Sequence, residues 1–372
     1  MRINYVELRN FRIFSDFRCE FVDKTLLLGR NGSGKTTIIE SLYYGSVFSP
    51  LRSFETDRDL FRVGENFFNL KLNFLDDYGY KHDIFVAYEI NENKPKKKIK
   101  FDDKTTNIVS ASGKLKVVPF LIEDFQLVFG SPSWRRNTIN KILFSVSESY
   151  YGDLINYSKM IKRKNALIKM INEKKNEGEG NGAIEDMISL LKNYNETLAK
   201  HAVELTLKRS ELVSYVNEFM QKEGLPFELS VKYKSNILDV IKNSSDPVSD
   251  LKNYLSANLE KELTYGKSII GPHLDDVVLY TRGNKAARVF LSQGQVRMVS
   301  ILFKLSLVKY IEAKTKQVPV LLFDDVIGEL DEKNKKLVFD KLLALGDMQV
   351  IVASSEMDEN AFGGFNIIKL SD

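Results

Sequence analysis

Three short stretches carry the residue types needed to hold and cut a phosphoanhydride. The first, residues 26–41, reads LLLGRNGSGKTTIIES, and its Gly29, Gly34, Lys35 and Thr36 satisfy the spacing G-x-x-x-x-G-K-[ST] of a phosphate-binding loop. Glycines let backbone N–H groups turn inward around a phosphate, and the start of the following helix adds partial positive charge. Lys35 would reach the β- and γ-phosphates, and the Thr36 hydroxyl would ligate Mg²⁺. The candidate contacts are Gly29, Asn31, Gly32, Ser33, Gly34, Lys35, Thr36 and Thr37. The second stretch is VPVLLFDDVIGELD, where an apolar run, Val318 to Phe323, delivers Asp324 and Asp325 to a strand end. Asp324 would hold the metal, and Asp325, with Lys35, would serve catalysis by orienting the attacking water. The third is FLSQGQVRMVSILFKLSLVKYI, in which Ser292, Gln293, Gly294 and Gln295 open an apolar helix over 295–311. Two readings stay open: an ordinary helix cap, or a second anion site at a helix N-terminus. One nucleotide needs one phosphate loop, so the second reading suggests two copies facing each other across shared nucleotides.

The elements that must position these residues are partly visible. Thr25–Leu28 reads as a buried strand and Thr37–Tyr44 as a helix. Alternating patterns in NFFNLKLNFLDD and HDIFVAYEIN predict hairpins over 66–91, and the lysine-rich stretch Lys94 to Lys104 forms the next exposed edge. Those lysines suit either an aggregation guard or a nucleic-acid contact. Ser133 to Leu225 contains no proline, and apolar stripes recur at helical spacing on both sides of the break EGEGNG at 177–182. Two antiparallel helices follow, the second reaching about 60 Å at 1.5 Å per residue. The expected organisation is α/β: an ABC-type ATPase head with a mixed sheet in two parts, 1–115 and 266–372. A mainly helical lobe is inserted between them at 116–265, its antiparallel arm at about 151–223.

At 372 residues the chain can build two or three packed units, and a net charge of +4 permits an anionic partner without demanding one. A single cysteine, Cys19, excludes a disulfide framework. Charges at Arg2, Glu7 and Arg9 leave no apolar leader core, and no apolar run reaches membrane-spanning length, so a cytoplasmic protein is expected.

The order phosphate loop, helical insert, S-x-G-Q, D-D and E-L-D resembles the ATP-binding-cassette head shared by Rad50, condensin-type ATPases and RecF. Within that group the chain resembles the RecF family over essentially its whole length. The matching blocks are LRNFRIF (8–14), the phosphate loop, LRSFETDRDLFRVG (51–64), SPSWRRNTI (131–139), YSKMIKRKNALIK (157–169), GPHLDD (271–276), LSQGQVR (291–297) and LLFDDVIGELD (321–331).

The resemblance implies that ATP with Mg²⁺ closes a head-to-head homodimer on double-stranded DNA and that hydrolysis reopens it. RecO and RecR would be partners in loading recombinase at gaps. It carries Gly32, Gly34, Lys35 and Thr36 over as phosphate contacts, Asp324 as the Mg²⁺ residue and Asp325 as support for hydrolysis. Ser292, Gly294 and Gln295 would touch nucleotide across the dimer, Glu329 to Asp331 would lie at the same seam, and Asn10 to Arg12 would lie towards the nucleoside. An alternative within the family is a nucleotide-gated interaction switch in another DNA-maintenance or defence pathway. Leu274 stands where the family often has arginine, and Ser354, Ser355 and Glu356 replace the histidine sensor of many cassette ATPases, which predicts slow turnover. Gln126 is the nearest candidate for a lobe-connecting glutamine. His273 is read either as a nucleotide sensor or as the partner of a loop carbonyl. Basic residues dominate Lys159 to Lys175, and Lys162, Arg163 and Lys164 are expected to meet DNA phosphates.

Overall fold

The structure, a computed structural model, describes residues 1–52, 55–92, 94–177, 181–326, 348–355 and 362–370. The chain divides into two units, one of Met1–Gly130, Phe144–Glu148 and Ala287–Asp372, the other of Ser131–Leu143 and Ser149–Ala286.

The first unit holds eight strands from the N-terminal part: β1 (Arg2–Phe11), β2 (Phe14–Glu20), β3 (Lys24–Leu28), β4 (Phe67–Leu75), β5 (Lys81–Asn91), β6 (Lys94–Phe101), β7 (Lys104–Thr106) and β8 (Val117–Leu121). The second contains β9 (Ser230–Lys234), β10 (Asp276–Thr281) and β11 (Lys285–Ala286). Back in the first unit come β12 (Val320–Asp324), β13 (Val350–Ser354) and β14 (Asn366–Lys369).

Two sheets build the first unit. The antiparallel one runs β2-β1-β4-β5-β6-β7. Its strands alternate: β4 buries Phe68, Leu70, Leu72 and Phe74 completely and leaves the residues between them on the other face. The second sheet runs β14-β3-β13-β12-β8, with every neighbouring pair parallel. All five residues of β12 are buried, which is why its sequence is a continuous apolar run rather than an alternation. The helix Lys35–Val47 touches strands of both sheets, and twelve of its residues are buried. A helix enclosed on all sides needs no polar stripe, and this one has none.

In the second unit the helices Glu148–Glu177 and Asn181–Lys222 form the arm. Their pairing is antiparallel: Ser149 meets Lys208, Asp153 meets His201 and Lys164 meets Asn195, so one number falls as the other rises. Leu167, Ile168 and Ile171 pack with Ile184 and Leu191, and Leu259 and Leu263 complete that cluster. Both expected lobe boundaries move. β8 pairs with β12, so the first unit extends past 115 to Gly130; β10 pairs with β9, so the second extends past 265 to Ala286. Pairing partners this distant in sequence leave no local mark in composition. No helix among the described residues is long and apolar enough to cross a membrane.

Candidate functional site

β3 ends at Leu28 and hands the chain to a loop whose geometry only glycine permits. Gly32 and Gly34 have φ of 92° and 96°. A Cβ on Gly34 would lie 2.4 Å from Phe14 Cζ, so the position admits no side chain. Ile38 N donates to Gly34 O at 3.0 Å and starts the helix. Lys35 Nζ lies across the loop, donating to Gly29 O at 2.7 Å and Arg30 O at 2.9 Å. Asn31 and Gly32 are exposed, whereas Ser33 is buried and its hydroxyl has no hydrogen-bond partner among the described residues. A buried donor without an acceptor, beside an ammonium and a helix start, is suited to a phosphate oxygen. Thr37, on the helix's first turn, is buried.

The parallel sheet sets the carboxylates opposite this loop. Asp324 is in register with Leu121 on one side and Ala353 on the other, and it accepts a bond of 2.9 Å from the Thr36 hydroxyl. Burial pushes the Asp324 carboxyl up to about 6, and the Thr36 bond only partly offsets this. A hydroxyl and a buried carboxylate in contact are hard oxygen donors whose ionised form a cation would stabilise, so Thr36 and Asp324 fit Mg²⁺. Asp325 has a φ of 52°; its amide donates to Ala353 O at 3.1 Å and its carboxylate accepts from Ser355 N at 3.2 Å. Glu329 to Asp331 and Glu356 lie outside the described residues.

The third motif opens the helix Gln293–Thr315. Ser292 caps it: Ser292 Oγ accepts from Gln295 N at 3.3 Å while Gln295 Oε1 accepts from Ser292 N at 2.9 Å, a reciprocal box. The capping reading is therefore realised, yet Ser292, Gln293 and Gly294 remain exposed, next to Val289 at 68% and Phe290 at 54% exposure. No hydrogen bond joins Ser292, Gly294 or Gln295 to the phosphate loop of the same chain among the described residues. Further along, buried Lys304 is ion-paired with Asp124 at 2.9 Å and donates to Pro119 O at 2.8 Å, fastening this helix to the end of β8. Gln126, just beyond, begins a short helix and accepts from Gly130 N through its carbonyl.

Several contacts join residues far apart in the chain and were not visible in the sequence. Arg12 bridges Glu40, on the phosphate-loop helix, and Glu55, each at 2.8 Å. Burial opposes the Arg12 charge, but the two carboxylates outweigh it and raise its pKa. In the second unit three of the family-like blocks converge. Arg135 grips Asp276 through two bonds of 2.8 Å, and Arg136 donates to Asp275 O. Buried Arg209 reaches Pro272 O at 2.6 Å, and Tyr157 OH meets His273 Nδ1 at 2.6 Å. Burial lowers the His273 pKa, so the ring is neutral near pH 7. The spacing within each block cannot show such a knot, because its members lie up to 141 residues apart. Lys162 and Arg163 are exposed on the arm, as a phosphate contact requires. Lys164 is a correction: it is fully buried, 2.6 Å from fully buried Glu262 and 3.0 Å from Asn195 Oδ1. It points between the arm helices rather than outward.

The model of the RecF/RecN/SMC N terminal domain matches residues 2–362. A DNA replication and repair protein RecF from Clostridioides difficile strain 630 is 31% identical, covering 99% of this chain and 96% of the relative. The chain belongs to the RecF family. A Bacillus cytotoxicus RecF is 29% identical over 96% of this chain and 93% of that one. Among solved structures, a RecF described as a recombination mediator protein with ATP in the RecFOR pathway superposes with a TM-score of 0.86 at 26% identity, covering 99% of this chain and 95% of the other. The ABC-type ATPase head and inserted helical lobe are thus those of RecF proteins.

Proposed function

We propose that this RecF-family chain is an ATP-dependent clamp on double-stranded DNA acting in replication and recombinational repair. The observation that carries the reading is the 2.9 Å contact of Thr36 with Asp324 beside a glycine-built phosphate loop, together with an exposed Ser292–Gln293–Gly294 tip at the start of another helix. Lys35, Ser33 and the loop amides hold the triphosphate of ATP. Thr36 and Asp324 would hold Mg²⁺, which would supply neutralisation of phosphate charge. Asp325 positions the attacking water, and its bond to Ser355 N keeps that carboxylate aimed from the strand end. Ser292, Gly294 and Gln295 of one copy cap the nucleotide held by the other, and exposed Val289 and Phe290 supply apolar area for that homodimer. Hydrolysis separates the copies and frees the DNA. Turnover is slow and stimulated by DNA, since the cap must be assembled before Asp325 has a substrate to act upon. RecO- and RecR-type mediators are the fitting partners for recombinase loading at gaps, because a relative of the same fold is described as a member of the RecFOR pathway. Sedimentation with ATP, with ADP and with neither, each with duplex DNA, tests this. A dimer with ATP alone is expected; a monomer in all three rejects the clamp.

A further inference from the structure

The arm is not the only basic element. Strand β6 reads KPKKKIKF, and its pairing with β5 fixes which way each residue points: Lys94, Lys96, Lys98 and Lys100 stand opposite Asn91, Glu89, Ala87 and Phe85. All four therefore share one face of the sheet. Lys97, of the opposite parity, turns inward, is bound to Asp57 at 2.8 Å and donates to Phe48 O at 2.9 Å. Alternate residues of a strand are about 6.7 Å apart, so the four ammonium groups form a row about 20 Å long, the rise of about six base pairs. The carboxylates beside the row have partners: Glu89 pairs with Lys96 at 3.6 Å, Asp83 accepts from Asn73 Nδ2 at 2.9 Å, and Asp102 is bound by His82 at 2.8 Å. Lys98 and Lys100 make no ion pair among the described residues. Beside the row the surface stays low, with Ala87 and Asn69 in register between Lys98 and Arg9.

The geometry points to this row as a second DNA contact, on the first unit, taking the phosphate backbone of a duplex without reading its bases. This rests on the clamp reading above. Guarding a sheet edge against aggregation is the competing explanation, and it does not account for the row. β7 already covers β6 at Ile99, Lys100 and Phe101, yet Lys100 continues the row into that covered part, where a guard has no edge to protect.

Two variants and a salt titration separate the possibilities. In one, all four lysines become glutamine; in the other, Lys98→Glu and Lys100→Glu keep charge on the strand but oppose phosphates. Duplex binding is measured with ATP between 50 and 200 mM salt, alongside ATP affinity and thermal melting. Each phosphate neutralised contributes about 0.9 to the salt slope, so the glutamine variant, giving up three or four such contacts, should lose about 2.7 to 3.6 from it. Its disadvantage against wild type should then shrink roughly 40- to 150-fold across that range, with ATP affinity and melting unmoved. The glutamate variant should bind DNA more weakly still without aggregating. Wild-type slopes in both variants overturn the row while leaving the clamp intact. Absence of salt-dependent duplex binding by the wild type overturns the clamp reading itself.

Discussion

Lys164 offers the sharpest test of the physical reasoning, because its sequence neighbourhood says surface and its environment says interior. At 2.6 Å the attraction to Glu262 is about 6 kcal/mol at an effective dielectric of about 20, set against the cost of desolvating both charges. Glu262 Oε1 also accepts from Ser268 Oγ at 2.7 Å and Ile269 N at 3.1 Å, so the carboxylate stays fixed if its partner is removed. Lys164→Met should therefore strand a buried anion and cost about 3–5 kcal/mol. Adding Glu262→Gln keeps an acceptor for Ser268 and Ile269 while removing the charge, and should recover all but about 1 kcal/mol. The assay is urea unfolding of the four members of the double-mutant cycle, followed through Trp134, the single tryptophan, which lies in the second unit. Duplex affinity of folded Lys164→Met should equal that of wild type. A cost below about 0.5 kcal/mol together with weakened DNA binding would refute the buried-pair account and restore Lys164 to the phosphate-contacting face.

Three further outcomes follow from the nucleotide site. Gly34→Ala should cost about 1–3 kcal/mol and abolish nucleotide binding, measured by melting and by ATP titration; adding Phe14→Ala should relieve the clash but not the strain of a positive φ. Ser292→Arg should leave ATP affinity intact and eliminate the ATP-dependent dimer in sedimentation, and a dimer that persists would remove the capping role. Asp325→Asn should slow single-turnover hydrolysis by about 10²- to 10⁴-fold while prolonging the closed dimer on DNA, read by the lifetime of the bound complex.

The parts of the site legible in the sequence are those whose chemistry is local. Gly29 to Thr36 announces itself because the loop's φ values and its helix start are set by adjacent residues, and Asp324 follows an apolar run that only an enclosed strand explains. The arm is legible in the same way, since its stripes repeat every turn or two. What was hidden is what distant chain segments decide together. Lys164 sits among exposed Lys162 and Arg163, and only Glu262, from another helix, makes it an interior residue. Arg135 and Arg136 sit in one short block, and nothing within it shows that Asp275 and Asp276, far along the chain, hold them. β8 looks like the beginning of the insert because its partner, β12, comes 200 residues later; Val117 is in register with Val320.

That late arrival governs how the molecule can be made. β3 supports the phosphate loop, and both strands flanking it, β13 and β14, are formed by residues from Val350 onward. A ribosome that has released three hundred residues has therefore delivered a lysine cradle with nothing on either side of its supporting strand. Nascent chains stalled before residue 320 should be blind to ATP, and nucleotide can assist folding only in its closing moments.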